Sequence, residues 1–149
     1  MKTLRLLVID DEPLARTRLK RMLLEIRAVE VVGECSNGNQ AVEQIDKLQP
    51  DVLLLDIQMP EKNGFQVLEM IETDLPYVIF VTAYDQYAIQ AFEVYALDYL
   101  LKPFNKDRLE RALLRARTQL ELKNQKEFSE QVVSLINELK GGSHQNKLV

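Results

Sequence analysis

The sequence has few of the residues that mark several classes of protein. Its 149 residues include one cysteine, Cys35, one histidine and no tryptophan. A single cysteine excludes an internal disulfide, and no apolar run approaches the ~20 residues that a membrane-spanning helix needs. The start of the chain does not read as a signal peptide. We therefore expect a cytoplasmic protein with no membrane contact.

An excess of one charge is also lacking. The 19 basic and 23 acidic residues give a net charge of −4, which does not suggest a nucleic-acid surface spread over the whole domain. DNA contact is therefore expected only through another segment of the protein. Apolar residues make up 46% and charged residues 28%, an ordinary globular composition. The length fits one compact domain with some residues left over.

What the sequence does contain is a regular alternation of short apolar runs and helix-period segments. The runs are predicted as strands at 4–9, 29–34, 52–55, 77–81 and 97–101, and helix four is predicted at 85–95. Five such units of strand and helix predict an α/β fold with a parallel sheet covered on both faces. Ligands of such sheets bind beyond the carboxyl ends of the strands.

Polar side chains stand at these strand ends. Asp10 and Asp11 follow strand one, Asp56 follows strand three, Thr82 ends strand four and Lys102 follows strand five. Three carboxylates in one crevice call for a hard divalent cation, and oxygen ligands that leave room for water suit Mg²⁺. A cation beside Asp56 invites a phosphoryl group, which Asp56 could accept as a nucleophile to give an aspartyl phosphate.

These residues lie in sequence motifs that resemble the receiver domain of two-component response regulators. The motifs are Asp10-Asp11, "LLLDIQMPEKNG" at 53–64, "VTA" at 81–83 and "LLKPF" at 100–104. The resemblance covers about residues 3–122, so we expect a receiver domain at 1–122 and a helical extension with a flexible linker at 123–149. It implies a flavodoxin-like (βα)5 doubly wound sheet with strand order 2-1-3-4-5.

The resemblance also implies a role for each site residue. Asp56 would be the phosphoacceptor, and Asp11, Asp56 and the Gln58 carbonyl would bind Mg²⁺ directly. Asp10 would hold metal-bound water, and Lys102 would contact the phosphoryl group. The phosphoryl donor would be a sensor histidine kinase. A receiver catalyses only its own phosphoryl transfer and slow dephosphorylation, so we do not expect a turnover enzyme.

Further residues would sense or protect the phosphoryl group. Thr82 and Tyr99 would form a switch pair, in which the ring turns inward as the threonine moves. Gln58, Ala83 and Tyr84 would govern how water reaches the site, and a bulky ring at Tyr84 should shield it. The resemblance also implies a cis bond before Pro103.

The segment at 82–104 resembles, more narrowly, receivers of LytTR-type (LytR/AlgR family) regulators. This implies a β-rich DNA-binding effector domain that this chain does not contain, and control of transcription through it. We favour an excised receiver over a regulator that works without a tethered effector. Helix four, strand five and helix five would form a homodimer face that phosphorylation favours.

Several alternatives stay open. The acids before Pro13 could cap helix one, with or without binding a metal. The apolar helix four could be deeply packed instead of exposed. The seam Leu109, Leu113, Ala116 and Leu120, which resumes at Phe128, Val132, Leu135, Ile136 and Leu139, could pair with a second chain or belong to the core.

Two other functions are also compatible with the fold. A phosphatase of the haloacid-dehalogenase type would form an aspartyl intermediate, but it carries an aspartate two residues after its nucleophile, where this chain has Gln58. A phosphorylation-independent interaction module would keep the fold without its chemistry.

Overall fold

The computed structural model describes residues 2–141 with their side chains and residues 142–148 only as part of a helix. Strands and helices alternate along the chain. The strands are β1 (Leu4–Ile9), β2 (Val29–Cys35), β3 (Val52–Leu55), β4 (Tyr77–Thr82) and β5 (Asp98–Leu101), and the helices are α1 (Pro13–Leu24), α2 (Gly38–Leu48), α3 (Gly64–Glu69), α4 (Ala88–Glu93) and α5 (Lys106–Leu148).

The five strands form one sheet in the order β2-β1-β3-β4-β5, and every neighbouring pair is parallel. This confirms the predicted flavodoxin-like α/β class and its strand order. Ile9 of β1 pairs with Leu55 of β3, so the residues that follow them, Asp10 and Asp56, leave the sheet side by side. The register of the two central strands therefore sets the position of the site.

The central strands are buried on both faces, as a run without polar alternation predicts. All four residues of β3 are buried, and β1 is buried except at Arg5. Phe80 of β4 packs against Phe65 of α3 with ring centroids 5.0 Å apart. This packing fixes α3 against the sheet just beyond the predicted phosphoacceptor.

Helix four is shorter than the sequence pattern predicted. It covers six residues, Ala88–Glu93, instead of 85–95. Tyr95 has a left-handed backbone, with φ of 59°, which does not continue a right-handed helix. At the other end of the helix, residues 83–87 form a loop between Thr82, which ends β4, and Ala88, which begins α4.

The chain divides into two compact units, one that extends to Ala116 and one that begins at Arg117. In the first unit, Leu109, Leu113 and Ala116 are buried, so the first half of the predicted seam belongs to the core. The predicted domain boundary at 122 and the linker character of 123–149 stay predictions. No helix within the described residues is long and apolar enough to cross a membrane.

Candidate functional site

Three carboxylates meet at the carboxyl ends of β1 and β3. Asp10, Asp11 and Asp56 each offer an oxygen, and these oxygens all lie within 4.8 Å of one another. Asp10 and Asp56 are buried, with exposed fractions of 5% and 7%. Burying several carboxylates close together costs free energy unless a cation compensates for their charge.

Asp56 is held by neighbours on two sides. Its Oδ1 accepts a hydrogen bond of 2.7 Å from the backbone N–H of Ile57, and its Oδ2 lies 3.6 Å from the Nζ of Lys102. Burial raises the pKa of the Asp56 carboxyl to about 6, although the Lys102 ammonium and a hydrogen bond with Thr82 act against this rise. The carboxylate form still predominates at pH 7, so Asp56 can act as a nucleophile.

Lys102 brings one positive charge to the three acids. Its Nζ donates a hydrogen bond of 2.7 Å to Asp10 Oδ2, and its backbone N–H donates one of 2.8 Å to the Thr82 carbonyl. Burial lowers the pKa of Lys102, but its contacts with Asp10 and Asp56 raise it more, and it stays an ammonium. The peptide between Lys102 and Pro103 is cis.

One ammonium cannot balance three carboxylates, and this is the observation that fits a divalent cation. The donor set is all oxygen and only Asp11 is partly exposed, which leaves an open side for water. Such a set suits Mg²⁺, which keeps several waters when it binds one or two carboxylates. The residues present therefore fit the predicted cofactor.

The loop after Asp56 returns close to the sheet because of a glycine. A Cβ at Gly64 would lie 2.7 Å from the carbonyl oxygen of Asp56, so no other residue fits without displacement. The Gly64 N–H donates to the Ile57 carbonyl, and Asn63 and Gln66 form a capping box that starts α3. These contacts fix the backbone that follows the acceptor.

The two predicted switch residues are joined through one residue of the β4–α4 loop, Tyr84. The Thr82 hydroxyl accepts a hydrogen bond of 3.4 Å from the backbone N–H of Tyr84. The hydroxyl of Tyr99 donates to the carbonyl oxygen of the same Tyr84. A rotation of Thr82 would therefore change the hydrogen bonding of the residue that Tyr99 holds. Ala83, which lies between Thr82 and Tyr84 in the sequence, is exposed.

Tyr87 is a site residue that the sequence did not single out. The Gln58 Nε2 donates a hydrogen bond of 2.5 Å to the Tyr87 hydroxyl. The Tyr87 ring also contacts Phe65 at 6.2 Å and Tyr84 at 6.3 Å between centroids. Its place in an apolar helix indicated either packing or a partner surface, and nothing local indicated a contact 29 residues away.

The alternative that the acids before Pro13 cap α1 holds only in part. Glu12 is the N-cap residue of α1, but its side chain makes no cap hydrogen bond. Asp10 Oδ1 instead accepts a hydrogen bond of 3.0 Å from the Glu12 backbone N–H. Asp10 thus steadies the start of the helix while its other oxygen contacts Lys102.

Helix α4 leaves an apolar surface uncovered. Ile89, Phe92 and Tyr95 have exposed fractions of 77%, 80% and 93%, and we call these three residues the α4 patch. Only Ala91 of the helix is buried. Deep packing, one of the two alternatives for this helix, is therefore wrong.

Comparison with known proteins agrees with this geometry. The family model described as the response regulator receiver domain matches residues 6–114. Among curated proteins, the transcriptional regulatory protein BtsR of Escherichia coli (strain K12) is 47% identical over 136 residues, which cover 91% of this chain and 54% of BtsR. The chain spans about half the length of the curated relatives it matches.

Solved structures are similar over most of the first unit. The response regulatory domain of mrkE from Klebsiella pneumoniae has a TM-score of 0.73 at 28% identity, and the match covers 80% of this chain and 99% of that one. The REC domain of AraT from Geobacillus stearothermophilus has a TM-score of 0.71 at 29% identity, over 82% and 98% of the two chains.

Proposed function

Because this chain belongs to the family of response regulator receiver domains, we propose that Asp56 accepts a phosphoryl group from a sensor histidine kinase. In the transfer, the phosphorus–nitrogen bond of a phosphohistidine breaks, and a bond forms between phosphorus and a carboxylate oxygen of Asp56. The released imidazole takes up a proton. The observation that carries this proposal is the convergence of Asp10, Asp11, Asp56 and Lys102 at the strand ends.

Each neighbour of Asp56 has a part in the transfer. The Lys102 ammonium, 3.6 Å from Asp56 Oδ2, would stabilise charge on the phosphoryl oxygens. Asp11, Asp56 and the Gln58 carbonyl would hold Mg²⁺, and Asp10 would hold its water. When bound, the ion would neutralise and orient the phosphoryl oxygens.

The experiment that tests this function is chemical labelling followed by intact-mass measurement. A small phosphodonor such as acetyl phosphate, with Mg²⁺, should add one phosphoryl mass to the chain. Asp56→Asn should abolish the label, while Asp74→Asn, at an exposed aspartate, should keep it. Labelling that survives Asp56→Asn would overturn the assignment, and repeated turnover of a phosphate ester would favour a phosphatase.

The output we propose is a change in the face formed by α4, β5 and α5. Tyr99 of β5 reaches the loop that precedes α4 through the Tyr84 carbonyl, so a movement of Thr82 toward the phosphoryl group can alter both elements. The α4 patch supplies apolar surface that self-association would cover. We propose that phosphorylation strengthens a homodimer at this face.

Sizing in solution tests the output, with and without a beryllofluoride-type analogue plus Mg²⁺. The analogue should strengthen self-association of the wild-type chain. Phe92→Lys should remove that gain, whereas Leu24→Lys, at a residue of α1 with an exposed fraction of 86%, should not. Equal responses of the two variants would contradict the assigned face.

In the longer protein, the receiver would control a DNA-binding effector, which we propose is of the LytTR type. Support comes from the resemblance of residues 82–104 and from the likeness to BtsR, a transcriptional regulatory protein. DNA would be bound only by that effector. The cytoplasm is the compartment we propose.

A further inference from the structure

The helix of the second unit carries an apolar stripe that is open to solvent. Phe128, Val132, Leu135 and Leu139 follow one another at intervals of four, three and four residues, and we call them the distal seam. Their exposed fractions are 67%, 38%, 55% and 66%. Every residue at 121–141 is exposed. A helix gains most of its stability by packing an apolar face, so this stripe calls for a partner.

The distal seam does not continue the buried stripe that precedes it. Leu109, Leu113 and Ala116 are buried to 0%, 3% and 0% exposure in the first unit. If their four-three spacing continued, the seam would contain Lys123, Glu127 and Glu130. The distal seam is displaced from that pattern by two residues. It is therefore a separate contact surface with its own register.

Charged residues avoid the distal seam and are nearly absent from its flanks. With 100° between successive residues of a helix, every charged residue at 122–141 lies about 90° or more from the middle of the seam. They are Lys123, Lys126, Glu127, Glu130, Glu138 and Lys140. The positions beside the seam hold one charged residue, Glu138, and five uncharged ones, which are Leu122, Asn124, Ser129, Gln131 and Ile136. A partner chosen by charge would have little to match along these flanks.

We infer that the distal seam pairs with the same segment of a second copy of this chain, as a parallel two-stranded coiled coil. In heptad notation, Val132 and Leu139 occupy position a, and Phe128 and Leu135 occupy position d. A β-branched residue at a with leucine at d favours two strands. Because Glu138 is the one charged flank residue at 122–141, two identical helices meet with little like-charge repulsion.

Gln125 fixes the direction of the pair. It occupies the a position one heptad before Val132. In a parallel pair, the two copies of Gln125 face each other, and each amide can hydrogen-bond to the other. In an antiparallel pair, the amide would face an apolar d residue and lose that partner. A polar residue at a single a position commonly sets register in this way.

This pairing goes beyond the proposed switch, because it needs neither Asp56 nor the α4 patch. Analytical ultracentrifugation should find the full chain self-associated at micromolar concentration without a phosphodonor. Leu135→Lys should weaken the association by about tenfold or more. Val133→Lys is the matched control, because Val133 and Leu135 are both 55% exposed but only Leu135 is in the seam. It should associate as the wild type does.

Controls separate this inference from the proposed function. Asp56→Asn should associate as the wild type does, so failure of phosphorylation would leave the coiled coil intact. Circular dichroism and Asp56 labelling of both lysine variants show that the first unit is folded. A chain that stays monomeric at all concentrations, or equal effects of the two lysine variants, would overturn the inference.

Cysteine cross-linking tests the direction. In a Cys35→Ala background, Gln125→Cys should form a disulfide between copies, and Glu127→Cys on the charged side should not. Cross-linking of a mixed sample, in which position 125 of one copy joins position 135 of another more readily than 125 joins 125, would overturn the parallel arrangement.

Discussion

The crevice around Asp56 and the α4 patch both depart from the usual distribution of side chains in a globular domain. The crevice buries charged groups, and the patch exposes apolar ones. In the crevice, the carboxylates of Asp10 and Asp56 are buried, and both lie close to the half-buried ammonium of Lys102. In the α4 patch, Phe92 and Tyr95 are more than three-quarters exposed, at 80% and 93%. Both arrangements cost free energy in an isolated domain. In the function we propose, a bound cation would compensate for the first cost and a partner surface for the second.

The two regions also differ in how firmly their side chains are held. Contacts to Asp56 are short and come from several elements, so the crevice tolerates little change. The α4 helix has six residues and one buried side chain, so few contacts hold it in place. Elements with few buried contacts are the ones that move most readily. The chemistry that we propose thus lies in the tightly held region, and the proposed response lies in the loosely held one.

The largest expected effect comes from removing the charge balance of the crevice. Lys102→Ala should slow phosphorylation of Asp56 by about 100-fold or more, because no other ammonium would stabilise the phosphoryl oxygens. Intact-mass measurement over time gives the rate. Lys106→Ala removes only a more exposed contact with Glu25 at 3.8 Å, so it should leave the rate unchanged. Equal rates for all three chains would remove Lys102 from the mechanism.

Two glycine-to-alanine substitutions, at Gly64 and at Gly141, test how closely the acceptor loop packs against the backbone of Asp56. Gly64→Ala should lower the free energy of unfolding by about 2 kcal/mol, because the new Cβ would meet the Asp56 carbonyl oxygen at 2.7 Å. Gly141→Ala has no atom within 4 Å of the new Cβ and should be neutral or slightly stabilising. Urea unfolding measures both. A Gly64→Ala chain as stable as the wild type would show that the acceptor loop can move.

Asp98, at the start of β5, forms an ion pair whose contribution to the free energy of unfolding should depend on pH. Arg108 makes two hydrogen bonds to Asp98, at 2.6 and 3.0 Å, and Arg115 lies 3.3 Å from it. Burial alone would raise the pKa of Asp98, but the Arg108 guanidinium holds it below its usual value. The stabilisation is therefore present above the pKa of the unfolded state and is lost as pH falls through the lower folded value.

We expect Asp98→Asn to lower the free energy of unfolding at pH 7 by about 1.5 kcal/mol. The difference between wild type and variant should shrink below about pH 4, the usual pKa of an aspartate. Urea unfolding across this pH range measures it. A difference that stays constant down to pH 2 would show that the ion pair is not its source.

The smallest expected effect concerns the lifetime of the phosphoryl group. Tyr87→Phe frees the Gln58 amide, which can then help to orient water, so dephosphorylation should become about threefold faster. The same substitution in a Gln58→Ala chain should have no effect on the rate. Tyr95→Phe is the matched control at an exposed tyrosine. An equal effect of Tyr87→Phe with and without Gln58 would place its action elsewhere.

Much of this structure could be predicted from local pattern. The alternation of apolar runs predicted the five strands, and the polar residue after each run predicted where Asp10, Asp56 and Lys102 would lie, because parallel strands end at one edge. The contact between Gln58 and Tyr87 could not be predicted, since it depends on the path of two loops. The length of α4 was also mispredicted, because its apolar residues face solvent and periodicity alone does not reveal burial.

A phosphoryl group on Asp56 should change the α4–β5 region. Hydrogen exchange measured by mass spectrometry tests this directly, with and without a beryllofluoride-type analogue plus Mg²⁺. We expect altered protection of residues 84–101 in the wild-type chain and no change in Asp56→Asn, with the exchange of β1 and β3 unchanged except at their ends. An unchanged 84–101 segment in a chain that carries the analogue stoichiometrically would contradict it.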